Sequence, residues 1–250
     1  MRNELKRRLA RGEQVYGTWI TVESPMATEM LSSLGFDYFV FDTEHSPLDI
    51  YMSQTLMQAM RGDSKTTPIV RVNWNDLVQI KRALDIGAYG VLVPWINNKE
   101  QAELAVKATR YAPKGLRGCG PRRAKMFDPE YYETVDDEIL VICQIETKEA
   151  VENIEEIVSV EGVDVSYIGP ADLSASYGHL GNQSHPDVQK AIDKVFDATR
   201  AAGKATGIHQ ASGKTIKERM EKGYNFITLG NDLIYMKEGV LAHMEKLGLK

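Results

Sequence analysis

The chain of 250 residues has only two cysteines, Cys119 and Cys143, in neither a CxxC pair nor a Cys/His ligand spacing. A disulfide framework and a structural zinc site are therefore excluded as the basis of its fold. Basic residues are few relative to acids, 30 Lys and Arg against 35 Asp and Glu for a formal charge of −5, and no long basic run or basic-aromatic stripe is present. Nucleic acid is not the expected partner. No stretch approaches the ~18 apolar residues that cross a bilayer, and the opening "MRNELKRRLARGEQ" is too charged for a secretory signal. The expectation is a soluble, cytoplasmic protein with no membrane partner.

Three chemical signatures are also missing. No GxGxxG follows the first strand-like run, and "GIHQASGKT" at 207–215 misses the phosphate loop GxxxxGK[ST] by one residue, since five residues separate Gly207 from Gly213. Lys214 then reads as an anion contact or a solvated helix start. A Schiff-base aldolase needs a buried lysine at a strand end, and no strand-like run supplies one.

What is present is a rhythm. Hydrophobic residues make up 43% of the chain, enough to bury a large core. Short β-branched and aromatic runs at 16–21, 37–42, 68–72, 89–94, 140–146, 163–169, 205–209 and 226–230 alternate with amphipathic stretches such as "DLVQIKRALDIG" and "HPDVQKAIDKVFDATRAAG". Eight βα units predict a (β/α)8 TIM barrel over one domain, 1–250, in preference to an open doubly wound sheet. The segment 112–138 is too long for a routine connection. The tail from residue 232 places Leu233, Met236, Val240, Leu241, Met244 and Leu247 near helical spacing, which suits docking on its own barrel or a neighbour's.

Barrel enzymes work at the carboxyl ends of their strands, and this is where the reactive residues gather. The second run ends in "FDTEHSPLD", with Asp42, Glu44 and His45; the third carries Arg71; the fifth ends in Gln144 and Glu146; the sixth leads into Asp172; the seventh ends in His209. Alternation puts Gln144 and Glu146 on one face with Ile142, and Val141, Cys143 and Ile145 on the other. Glu146 and Asp172, one βα unit apart, suit a divalent cation such as Mg2+ or Mn2+ with open positions; the competing reading has each merely capping a helix. In "IGPADLS", Gly169 permits close approach and the amides of Ala171 and Asp172 form an anion cradle. Arg71 needs an anionic partner, either a substrate oxygen or Asp42 or Asp85. His45 is either a general base or a histidine simply hydrogen-bonded to an acid.

Together "FDTEHSPLD", "VRVNWND", "VLVPWINNKEQAELAVKATRYAPKGLRG", "CQIETKEAVENIEEIVSVEGVD", "IGPADLSASYGHLGN" and "HPDVQKAI" resemble the HpcH/HpaI family of metal-dependent pyruvate aldolases over nearly the whole chain. The resemblance implies a TIM barrel that cleaves or forms 4-hydroxy-2-oxo acids, giving pyruvate and an aldehyde through a metal-stabilised enolate, with Mg2+, Mn2+ or Co2+. It implies Glu146 and Asp172 as metal ligands and Gln144, Gly169, Pro170, Ala171 and Trp19 around the keto acid. Arg71 would stabilise the enolate, and His45, oriented by Asp42 and Asp85, would move the proton. It further implies a hexamer of three dimers exchanging C-terminal helices, and a place in aromatic or sugar-acid catabolism. The chain departs from the family pattern at "RGCGPRRAKMF", with Arg122 and Arg123, and at "GIHQ", with His209. These bear on the aldehyde side; the Arg pair precedes strand five, away from its own barrel's mouth, so it is either a solvated face or reaches a neighbour's site, where it would suit an aldehyde with a second carboxylate. The alternatives are a citryl- or malyl-CoA-type thioester lyase and a keto-acid-binding barrel without turnover.

Overall fold

The computed structural model describes residues 2–60, 62, 65–126, 128–209 and 213–249. Eight parallel strands, β1 (Val15–Ile20), β2 (Tyr38–Asp42), β3 (Thr67–Arg71), β4 (Gly90–Val93), β5 (Leu140–Ile145), β6 (Val165–Ile168), β7 (Ala205–Ile208) and β8 (Phe226–Asn231), pair in sequence order. The β8–β1 pairing closes the barrel. Every expected strand is present, its ends shifted by one or two residues. The near-continuous Val, Ile, Phe and Tyr runs reflect burial on both faces, inside the barrel and under the helices.

Side-chain alternation sorts the core into two layers. Tyr38, Val40, Ile69, Leu92, Ile142, Val165, Tyr167 and Phe226 fill the interior. Phe39, Phe41, Val70, Val91, Val141, Cys143 and Ile145 pack outward against the helices. The inward and outward sets of β5 are those its sequence predicts. Tyr38 and Phe226 stack across the barrel with ring centroids 4.1 Å apart. The Tyr38 ring lies so close to β1 that a Cβ on Gly17 would meet it at 2.3 Å, so only glycine fits there.

The amino-terminal end of the barrel is plugged by a helix that the sequence reading did not anticipate, Glu4–Ala10. Its Leu5 and Leu9, four residues apart, point into the interior layer, while its cations pair with carboxylates that precede strands: Lys6 with Asp164 at 3.1 Å, Arg7 with Glu138 and Arg8 with Asp37. The long segment 112–138 lies at this end too. It ends in the helix Tyr131–Glu138 and carries the buried Arg117, whose Nη2 donates to Asp85 Oδ1 at 2.8 Å and to the Tyr131 hydroxyl at 2.9 Å.

At the opposite end, helices start behind side-chain caps. Ser24, Asp49, Asp76, Asn98, Thr147 and Asn231 each accept a backbone N–H from the helix that follows. These caps fix where each strand's polar end meets its helix. No helix among the described residues is long and apolar enough to cross a membrane. The last helix, Asp232–Lys246, touches β8 and β1 near its start. Its Leu233, Met236 and Val240 remain exposed, so the chain's own barrel does not cover that face.

Candidate active site

β2 delivers Asp42 to the mouth, and β3 pairs Arg71 beside it in register. Arg71 grips Asp42 with two parallel bonds, Nε to Oδ1 at 2.8 Å and Nη2 to Oδ2 at 2.7 Å. The backbone N–H groups of Glu44 and His45 also donate to Asp42 Oδ1. Burial alone pushes the Asp42 carboxyl up, but the guanidinium and these amides outweigh it, and the group is held below its usual range. Arg71 also lies 4.4 Å above the Trp19 ring.

Glu44, in the chain's acidic cluster but without an expected role, sits inside this arrangement. Its Oε2 is 3.0 Å from Arg71 Nη1 and 3.8 Å from His45 Nε2, yet makes no hydrogen bond among the described residues. Burial, with the charges of Asp42 and Asp172 added, pushes the carboxyl up to about 7 against the pull of Arg71. His45 faces Glu44 with an exposed imidazole, while Asp42 holds its backbone and not its ring.

β5 carries the second half of the site. Glu146 is buried, accepts the Trp95 N–H at 2.8 Å and accepts from the Gln144 amide. Burial lifts its carboxyl above the ordinary range, the charges of Glu44 and Asp172 adding to the rise while Gln144 and Trp95 oppose it. Trp95 reaches Glu146 by adopting φ 55°, a left-handed backbone unusual for a bulky residue and common at constrained sites. Across from it, Gly169 leaves the space that Glu146 needs: a Cβ there would lie 2.8 Å from Glu146 Oε2. Asp172 stands in the first turn of the helix Pro170–Ser176, which has no side-chain cap.

A cavity of about 360 Å³ joins these groups, lined by Trp19, Asp42, His45, Arg71, Gln144, Gly169, Pro170, Ala171, Asp172 and His209. Glu146 lies directly behind Gln144 and Gly169. These ten residues, all singled out in the sequence, thus meet Glu44 and Glu146 at one mouth. Tyr167 joins them from inside the barrel, its hydroxyl in a chain with Thr228 at 2.8 Å, Trp19 Nε1 at 3.3 Å and His209 Nδ1 at 3.4 Å. Its inward position, two residues after Val165 in "VSYIGP" and so in phase with it, was the available signal. Gln183, ahead of the helix Pro186–Ala201, and Asn231, at the end of β8, also line the cavity without having been singled out.

Three expected residues lie elsewhere. Asp85 ends the helix Leu77–Asp85 ahead of β4, at the amino-terminal end, and pairs with Arg117, so it does not orient the His45 of its own chain. Arg123 lies half-buried at that same end and donates to the Ile86 carbonyl; burial depresses its guanidinium. Arg122 is exposed two residues after Gly120. Neither arginine reaches this chain's cavity. Of the near-miss phosphate loop, Gln210, Ala211 and Ser212 fall outside the described residues, and Lys214 is exposed beside Glu218.

The donor set suits a hard divalent cation. Glu146 and Asp172 offer carboxylate oxygens, Asp172 near enough to add to the cost of charging Glu146, and Gln144 Oε1 is buried without a hydrogen-bond partner among the described residues.

The chain is similar to known proteins over almost its full length. It is 43% identical over 234 residues to 5-keto-4-deoxy-D-glucarate aldolase of Escherichia coli (strain K12), covering 92% of this chain and 91% of that one. It is 42% identical over 246 residues to 4-hydroxy-2-oxo-heptane-1,7-dioate aldolase of Klebsiella pneumoniae, covering 97% and 92%. A crystal structure of a family protein from Burkholderia cenocepacia superposes with a TM-score of 0.94 at 34% identity, covering 98% and 99%. The family model matches residues 15–238, spanning the barrel and every residue of the mouth. On the strength of that match and these identities, the chain belongs to the HpcH/HpaI aldolase/citrate lyase family.

Proposed function

We propose that this carbon–carbon lyase cleaves or forms 4-hydroxy-2-oxo acids, with pyruvate as one half and an aldehyde as the other. The observation that carries the reading is the convergence of Glu146, Asp172, Gln144 and Arg71 on one cavity at the carboxyl ends of the strands. The aldolase names of the relatives in Escherichia coli and Klebsiella support it.

Glu146 and Asp172 would hold a Mg2+, Mn2+ or Co2+ ion, which when bound supplies Lewis-acid polarisation of the keto group. Gln144, with its free Oε1 turned away from Glu146, orients the keto acid. The backbone amides at Ala171 and Asp172 receive its carboxylate. Arg71, fixed by Asp42, presents positive charge where the enolate oxygen develops. In cleavage His45 takes the proton from the 4-hydroxyl; the C3–C4 electron pair passes into the enolate as the aldehyde departs. Returning a proton to C3 releases pyruvate.

The uncovered face of the helix Asp232–Lys246 supports an assembly of like chains as part of this reading. The test is pyruvate release from 4-hydroxy-2-oxo acids by chelator-treated protein before and after Mg2+, Mn2+ or Co2+ is added back. Release that returns with metal supports the reading. Metal-loaded protein that binds pyruvate and never exchanges its methyl protons with solvent would leave a binding barrel instead.

A further inference from the structure

Between the helices Pro170–Ser176 and Pro186–Ala201 runs a loop that turns twice through left-handed glycines, Gly178 at φ 78° and Gly181 at φ 81°. It carries His179 and ends at His185, and Asp187 follows in the first turn of the second helix. Two of the chain's five histidines thus meet one carboxylate outside the active-site cavity. Gln183, between the two histidines in sequence, lines that cavity.

Among the described residues this is the one group of three such side chains whose ligand atoms all lie within 4.8 Å of one another. His179 Nε2 and His185 Nδ1 each stand 3.7 Å from Asp187 Oδ2, too far for a hydrogen bond. Zinc held at about 2.0 to 2.2 Å by each donor of a tetrahedron sets those donors about 3.3 to 3.6 Å apart. Two edges of the triangle are near that length already, and a small turn of one imidazole closes the third. His185 Nδ1 accepts the Asp187 N–H at 3.2 Å, so it carries a lone pair, not a proton, on the side of the cluster.

The two rings lie face to face, centroids 3.4 Å apart and planes 18° from parallel. Aromatic rings left to themselves prefer offset or edge-on contact, so this sandwich calls for something that draws the nitrogens together. The donors also differ in kind from those of the mouth. Glu146, Asp172 and Gln144 offer oxygen alone, which suits Mg2+ or Mn2+, whereas two imidazoles and a carboxylate suit Zn2+, Cu2+ or Ni2+. The dipole of the following helix opposes a cation at its start, and the Asp187 charge offsets it. With side-chain exposures of 28% for His179, 30% for His185 and 54% for Asp187, an ion can enter and keep a water in its fourth position. The set holds no cysteine and sits on a barrel closed without it, so it is an accessory site and not one on which folding depends.

We propose that His179, His185 and Asp187 form a second metal site, for a cation of the Zn2+ class, that fastens the loop carrying Gln183 to the start of the helix Pro186–Ala201. One wall of the mouth is then held by an ion that takes no part in the chemistry. The site stands independently of the aldolase reading, since none of its residues belongs to the reacting group.

The experiment is calorimetric titration of Zn2+ into chelator-treated, full-length protein carrying Glu146→Gln and Asp172→Asn, so that the mouth does not compete. One Zn2+ per chain should bind with a Kd of about 10 µM or tighter. Adding His179→Ala should weaken binding about a hundredfold or more, beyond the tenfold to hundredfold that loss of a group merely supporting a ligand costs. His185→Asn should do the same while keeping a side chain that can cap the helix. Unchanged affinity in both variants places the ion elsewhere and overturns the proposal, as does a Kd near 1 mM, which marks an adventitious ion only. A second measurement needs no substitution: Zn2+ should slow amide hydrogen exchange across residues 177–186 of the wild type about tenfold or more, and Mg2+ should not. Exchange that Zn2+ leaves unaltered overturns the fastening. Neither readout uses turnover, so failure of the aldolase reading would leave both standing.

Discussion

The two ends of the barrel handle charge in opposite ways. At the amino-terminal end each of several cations has its own carboxylate partners: Lys6 with Asp164, Arg8 with Asp37 and Glu13, Arg117 with Asp85. At the mouth four carboxylates, Asp42, Glu44, Glu146 and Asp172, gather near one guanidinium, that of Arg71, which pairs with Asp42 and Glu44. The matched end holds the barrel shut. The mismatched end carries an excess of carboxylates whose folding cost is relieved by protonation or by a bound cation, and this separation of stability from chemistry is characteristic of the fold.

The contrast can be broken most sharply at the two carboxylates proposed to hold the metal. Glu146→Gln or Asp172→Asn should cut metal-dependent pyruvate release about a thousandfold or more, while the apo protein melts no earlier than wild type, because each substitution removes one of the crowded charges. A thermal melt in chelator beside the activity assay checks both halves.

Arg117→Ala is the mirror experiment. Removing one partner of a buried pair leaves Asp85 uncompensated and should cost about 3 to 5 kcal/mol in urea unfolding. Turnover per folded molecule should stay within about twofold, since Arg117 touches no residue of the mouth. A comparable loss of turnover would join the two ends functionally and dissolve the distinction.

Gly169→Ala tests the close approach at the mouth. The added methyl, 2.8 Å from Glu146 Oε2, should displace that carboxylate and weaken Mn2+ binding about tenfold or more, a loss of the size seen when groups supporting a metal ligand are removed, as read by titration calorimetry.

The smallest effect is the pH dependence of stability. The folded Glu44 carboxyl holds its proton up to about 7 against an ordinary value of 4.5. Between those values the folded state keeps a proton that the unfolded chain has released, so stability falls as pH rises through the window and stays low above it. Glu44→Gln should therefore stabilise the metal-free protein at pH 8 by about 1 kcal/mol and do little at pH 4. Asp42 acts in the other direction: held below its ordinary 3.8, it contributes stability above that pH that is lost as pH falls through its folded value. Urea midpoints at the two pH values decide the matter for Glu44.

Much of this was legible in the sequence because barrel strands carry strong local signals. Runs such as "DYFVFD" and "LVICQIE" are apolar on both faces, and period-two alternation alone places Gln144 and Glu146 inward with Ile142. Once strand ends are known, the mouth follows. What could not be read depends on contacts between distant segments. Asp85 looks like any acid near a catalytic histidine until the fold sets it beside Arg117, 32 residues on in sequence. The plugging helix hid Leu5 and Leu9 among charges. Glu44 was visible as an acid, but its elevated carboxyl depends on burial in the folded mouth and on the charges of Asp42, at the end of the preceding strand, and Asp172, in the first turn of the helix Pro170–Ser176.

The capped helices at the mouth have one more effect. The helices behind Ser24, Asp49, Asp76, Asn98, Thr147 and Asn231 all begin at that rim, so their aligned peptide dipoles turn positive ends toward it, each equivalent at most to roughly half an elementary charge within the first turn. The acid-rich mouth thus sits inside a ring of backbone potential. Peptide groups neither take up nor release protons, so this ring presents the same attraction to an anionic keto acid at pH 5 as at pH 9, while the carboxylates it surrounds change their charge.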